Sequence, residues 1–231
     1  GLNVIPLAHD RPYFTVGELQ TALDQSIGGR VSNPVGVVSV ESPVRRQAGQ
    51  IVPWDEMQAI SRLCREQALP VHLDGARLYM MSAATGKELK EYADLFDSVY
   101  VSMYKYFGSP FGAVLAGTRE FISGMFHDRR MFGGGLPSSY LFAGLALDGM
   151  DGFELQNKEA FEKASSLFAD INNLSEIEVR TFEHGSNIFE LVIGPGIDQD
   201  RFVGKLLDLG IVITWPNENW RVPLLHVNTT I

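Results

Sequence analysis

Short apolar runs rich in valine and isoleucine alternate along this chain with segments of helical period. A chain patterned in this way folds as parallel strands joined by crossover helices. The runs predict strands at Val4 to Leu7, Val35 to Glu41, Pro70 to Asp74, Ser98 to Met103 and Phe111 to Gly117. Between the second and third, Trp54, Met57, Ile60, Leu63 and Cys64 form one apolar stripe over Pro53 to Gln67, after a proline suited to a first helical turn. The expected fold is α/β, a mostly parallel sheet with helices on both faces.

Past Gly133-Gly134-Gly135 the pattern changes to longer helices, Ser139 to Met150 and Phe153 to Asn173, before short strands return at Glu178 to Phe182 and Asn187 to Ile193. A helix over Asp198 to Leu209, stopped by Gly210, and a strand Ile211 to Thr214 would complete a second unit. The division expected is therefore a large domain over 1–150 and a small C-terminal α+β domain over 151–231. No internal repeat or low-complexity tract interrupts it.

Charge narrows the partners. With 28 acidic against 19 basic side chains the net charge is −9, which works against a protein that holds nucleic acid by neutralising phosphates. No run of about 18 apolar residues exists, and the start lacks a basic region followed by an apolar one, so neither a membrane partner nor a signal peptide is expected. The single cysteine, Cys64, lies on the helical stripe as core filling, and its solitude suits the reducing cytoplasm. Five scattered histidines without His-Glu-x-x-His or paired cysteines predict no metal site.

The chemistry gathers in two stretches. Val71-His72-Leu73-Asp74-Gly75-Ala76-Arg77 is an apolar strand ending in an acid and a glycine, and the carboxyl ends of parallel strands line the binding crevice of open sheets. Asp97 to Lys105 is the next strand, ending in a lysine set among aromatics before Gly112 and another apolar run. An amine desolvated there becomes a nucleophile. Each stretch has a plainer reading alone: Asp74 as a helix cap and Lys105 as a snorkelling surface lysine.

Together they carry a resemblance. His72-Leu73-Asp74-Gly75-Ala76-Arg77 followed by Lys105 and Gly112 resembles the threonine aldolase and β-eliminating lyase family, and Gly49, Val52-Pro53, the glycine triplet and Arg221-Val222 extend the likeness over nearly the whole chain. The resemblance implies the aminotransferase-like fold and pyridoxal 5'-phosphate as cofactor, held by Lys105 as a Schiff base. It further implies that Asp74 pairs with the pyridine nitrogen, Ala76 lies against the ring, Ser102 meets the phosphate, and Arg77 and Arg221 hold the substrate carboxylate through bidentate guanidinium bonds. A homodimer or homotetramer acting on a small amino acid is implied in the same way.

Departures from the family pattern are local. Tyr104 stands where a serine commonly precedes the lysine and Tyr106 where a glycine commonly follows it; Ser42-Pro43-Val44 replaces an Asn-Thr-His run, and Leu136-Pro137-Ser138 follows the triplet where a basic residue is frequent. His9 and His72 do not match the family's ring-stacking histidine and are read as structural. Family members carry further chain before the first residue here and a closing helix after the last, so the expectation is a chain truncated at both ends. The leading expectation is a lyase cleaving a β-hydroxy-α-amino acid to glycine and an aldehyde. The alternatives are β-elimination on an amino acid, or a binding module or remnant without catalysis. A nicotinamide dehydrogenase is disfavoured by the lack of Gly-x-Gly-x-x-Gly after a strand.

Overall fold

The computed structural model describes residues 2–218 and 220–229. Its first helix, α1 (Val16–Gly28), starts at a capping box: Thr15 Oγ1 accepts from the Glu18 N–H, while the Thr15 N–H donates to Glu18 Oε2 at 2.8 Å. Then come β1 (Val38–Glu41), α2 (Trp54–Glu66) and β2 (Val71–Asp74). Asp55 and Glu56 in the first turn of α2 and Arg65 in its last complement the helix dipole. After β2 the chain forms α3 (Leu78–Thr85), α4 (Leu89–Ala93), β3 (Ser98–Ser102) and β4 (Ala113–Gly117).

β1, β2 and β3 are parallel neighbours, and β4 closes the row antiparallel to β3. Register partners share a face and successive residues alternate. Val38, Val40, Val71, Leu73 and Val99 therefore share one face and pack with Leu19 of α1 and Met57, Ile60 and Cys64 of α2 in one buried core. The opposite face carries Ser39, Glu41, His72, Asp74, Ser98, Tyr100 and Ser102. His72 Nδ1 and Ser98 Oγ are 2.8 Å apart across that face, a structural role for this histidine.

Two short helices, α5 (Arg119–Ser123) and α6 (Phe126–Met131), lead to α7 (Ser139–Met150) and the long α8 (Phe153–Asn172). The glycine triplet makes the tight turn after α6, with Gly133 at φ 85°. β5 (Ile177–Thr181), β6 (Ile188–Ile193), α9 (Gln199–Asp208) and β7 (Leu224–His226) follow, and β5-β6-β7 form a separate antiparallel sheet. No helix among the described residues is long and apolar enough to cross a membrane.

Two expected strands do not form. Val4 to Leu7 pairs with nothing, and Val4 is 77% exposed; Pro6 removes a donor from the middle of the run. Of Ile211 to Thr214, only Thr214 makes a bridge, to Leu224, with Pro216 close behind.

Candidate active site

The three parallel strands end at one edge of the sheet. Asp74 is the last residue of β2 and the register partner of Tyr100 on β3, so Asp74, Tyr100 and, two residues on, Ser102 leave the same face. Asp74 is fixed locally, its Oδ1 accepting the Ala76 N–H at 3.1 Å. Ala76 is buried, and a Cβ at Gly75 beside it would lie a tight 3.1 Å from the Tyr100 carbonyl oxygen. Ser102 is fully buried, and its hydroxyl makes no hydrogen bond of good geometry, although it lies close enough to the Tyr100 and Tyr104 phenols to favour the phenolate of each.

Lys105 sits in the loop from β3 to β4. That loop is closed by the Met103 N–H donating to the Gly112 carbonyl at 3.0 Å, with Gly112 at φ 113°, a backbone region in which a side chain would be strained. Further on, the loop is anchored rather than free. Ser109 Oγ donates to the Phe111 and Phe142 carbonyls at 2.7 and 3.2 Å, Phe111 packs on Phe142 with ring centres 4.0 Å apart, and Phe107 is buried against Tyr79 and Phe153. The Lys105 amine is thus held at the strand edge by a packed loop, with its Nζ 4.8 Å from the centre of the Tyr104 ring.

Arg77 links the remaining groups. Burial pushes the Tyr106 phenol up, opposed by the charge of Arg77 and a hydrogen bond to it. The Tyr104 phenol is drawn below its ordinary range, first by hydrogen bonding to Lys105 and by its charge, with a smaller contribution from Arg77. Tyr100 is pushed up by burial, then by Tyr104 and Asp74. From the second sheet comes His226 on β7, held down by burial and by the Arg77 charge, with Nε2 3.2 Å from Thr214 Oγ1.

Asp74, Ala76, Arg77, Ser102 and Lys105 are accordingly brought to one sheet edge or the loop beside it. Arg221 is not joined to them: it is exposed in the bend before β7 and, among the described residues, makes no hydrogen bond or ion pair. Sequence reading missed Tyr100 and His226 as neighbours of the site and treated Tyr104 and Tyr106 only as departures. Period-two alternation from Ser102 back to Tyr100 is a signal that could have found the first; nothing local points to His226.

Likeness to known proteins decides the family. A model of the beta-eliminating lyases matches residues 1–193. This chain belongs to that family. Among individual members, the low-specificity L-threonine aldolase of Candida albicans is 39% identical over 170 residues, 74% of this chain and 44% of that protein. Two solved structures are similar over 97% of this chain and 61% of their own. They are a putative L-allo-threonine aldolase from Listeria monocytogenes (28% identity, TM-score 0.74) and a putative aromatic amino acid beta-eliminating lyase/threonine aldolase from Exiguobacterium (27%, TM-score 0.75). The chain thus spans 44% of the length of the Candida protein and 61% of each of the two solved chains, and its fold is the aminotransferase-like one.

Proposed function

We propose that this chain supplies the cofactor-holding part of a pyridoxal-phosphate lyase that cleaves a β-hydroxy-α-amino acid to glycine and an aldehyde. The observation that carries the reading is the convergence of an acid, an unpartnered buried hydroxyl and an amine at the carboxyl ends of β2 and β3. These residues are of the chemistry that the group requires. A buried hydroxyl without a partner costs about 1–3 kcal/mol, and a phosphate oxygen would relieve that cost at Ser102.

When bound, pyridoxal phosphate supplies an electron sink for the bond broken at the substrate's α-carbon. Asp74, its carboxylate oriented by the Ala76 N–H, would keep a proton on the pyridine nitrogen. Ala76 offers a small buried surface against which a flat ring fits, where a larger side chain would intrude. The Lys105 amine would hold the aldehyde carbon covalently, give it up to the substrate amine, and then be available for proton transfer. Arg77 presents a planar guanidinium beside Tyr104, Tyr106 and His226 and would take the substrate carboxylate; Arg221 would join it from the bend before β7.

Two further parts of the reading concern surroundings. A homodimer or homotetramer is supported by the large apolar side chains exposed between Phe126 and Leu147, including Met131, Phe132 and Tyr140. A reducing cytoplasm suits a chain whose one cysteine is unpaired and buried.

A panel of amino acids given to the protein with pyridoxal phosphate tests the reaction. Glycine released from threonine or phenylserine is the expected outcome. Pyruvate and ammonia from serine or cysteine derivatives would assign β-elimination instead, and no turnover together with no covalent uptake of the cofactor would assign a non-catalytic module.

A further inference from the structure

Tyr104 adjoins Lys105 in sequence and lies beside its amine. Its side chain is half exposed, at 49%, at the mouth of the Lys105 loop, and does not serve as core packing. The Lys105 Nζ lies 4.8 Å from its ring centre. Two cations face the phenol, Lys105 from its own loop and Arg77 from the segment after β2; Tyr100 and Ser102 approach it from β3. Of the two carboxylates on this face, Asp74 acts on Tyr100, while its register partner Glu41 accepts the Arg45 N–H at 3.0 Å.

A lysine that attacks an aldehyde must first be a neutral amine, because the ammonium has no lone pair. Something must take its proton, and must return one when the amine leaves. We propose that the Tyr104 phenol is the proton partner of the Lys105 amine during attachment and release of the aldehyde. The proton passes from the Lys105 ammonium to the Tyr104 phenolate oxygen. The freed nitrogen lone pair forms the bond to the carbonyl carbon, and the carbonyl oxygen departs as water with the two protons that remained on the nitrogen. On release the substrate amine takes the place of the Lys105 nitrogen on that carbon, and the amine set free takes its proton back from Tyr104.

The half-exposed position of Tyr104 suits this role, since the phenol can re-equilibrate with solvent between turnovers while Tyr106, buried against Phe107 and Phe153, cannot. The cationic neighbours favour the phenolate, which is the form able to accept the proton. This assignment deepens the cofactor reading and rests on it.

The test uses the wild type, Tyr104→Phe and Lys105→Ala, read in two ways. The first is a spectroscopic titration of the seven tyrosines. The wild type is expected to show one phenolate step below the rest, absent from Y104F and moved upward in K105A. The second is the rate of covalent attachment of pyridoxal phosphate near neutral pH, followed by borohydride trapping and peptide mapping. Y104F is expected to attach the cofactor at Lys105 at least about tenfold more slowly, with an unchanged circular dichroism spectrum because the ring is kept. An early phenolate step that survives in Y104F, or an unchanged attachment rate with the label on Lys105, overturns the role of Tyr104 alone. A label on another lysine, or none, overturns the cofactor reading instead.

Discussion

Asp74 on β2 and Tyr100 on β3 are register partners, so the carboxylate and the phenol rise side by side from one face of the sheet. The acid is not the cap of the following helix, whose N-cap is Arg77; the Ala76 N–H donating to its Oδ1 orients it. Asp74→Asn keeps that acceptor and the fold but removes the charge. It is expected to lower glycine release from threonine about a hundredfold and to let the Tyr100 phenol ionise at lower pH. Turnover equal to wild type would remove Asp74 from the chemistry.

Ser102→Ala separates a structural hydroxyl from a binding one. The buried Ser102 Oγ has no partner, so its removal is expected to leave stability unchanged or raise it by about 1 kcal/mol in urea unfolding. Pyridoxal phosphate affinity is expected to fall about tenfold, the value of one hydrogen bond to a charged group. Equal affinity in the variant would show that the hydroxyl does not meet the phosphate.

The loop that positions Lys105 leans on α7 at a point where only glycine fits. A Cβ at Gly149 would lie 2.2 Å from the Phe107 carbonyl oxygen and 2.5 Å from its carbon, backbone atoms that cannot swing aside. Gly149→Ala is expected to destabilise by about 2 kcal/mol, although glycine to alanine inside a helix ordinarily stabilises by about 1 kcal/mol. Gly144→Ala, on the same helix with nothing within 4 Å, is the control and is expected to follow the ordinary rule. Thermal unfolding of the pair reads the difference in sign.

Burial pushes the Cys64 thiol up from the usual 9.0 to about 11, with Asp97 adding to the effect. The folded state binds the thiol proton more tightly than the unfolded chain, so this contribution is complete below pH 9 and is lost as pH rises toward 11. A thiol reagent at pH 8 is expected to leave native Cys64 unmodified and to label it once urea unfolds the chain. Rapid labelling of the native protein would mean that the thiol is not sealed in the core.

Much of this was readable in advance because the signals are local. A four-residue apolar strand ending in Asp74-Gly75, and another ending near Lys105, announce a crevice by their polar ends, and the stripe of α2 marks its buried face. Helix α1 is equally legible in the capping box Thr15-x-x-Glu18. Val4 to Leu7 has strand composition without a strand's partner, and pairing is a tertiary fact that composition does not contain. The meeting of Arg77 with His226 depends on a second sheet folded back from almost 150 residues away, which no local pattern encodes.

The most direct measurement is reduction of the protein with borohydride in the presence of pyridoxal phosphate, followed by mass mapping of the labelled peptide. The account expects the label on Lys105, with Lys87, Lys90, Lys158, Lys163 and Lys205 unmodified. A label spread over those surface lysines, or stable attachment in Lys105→Ala equal to wild type, would contradict it.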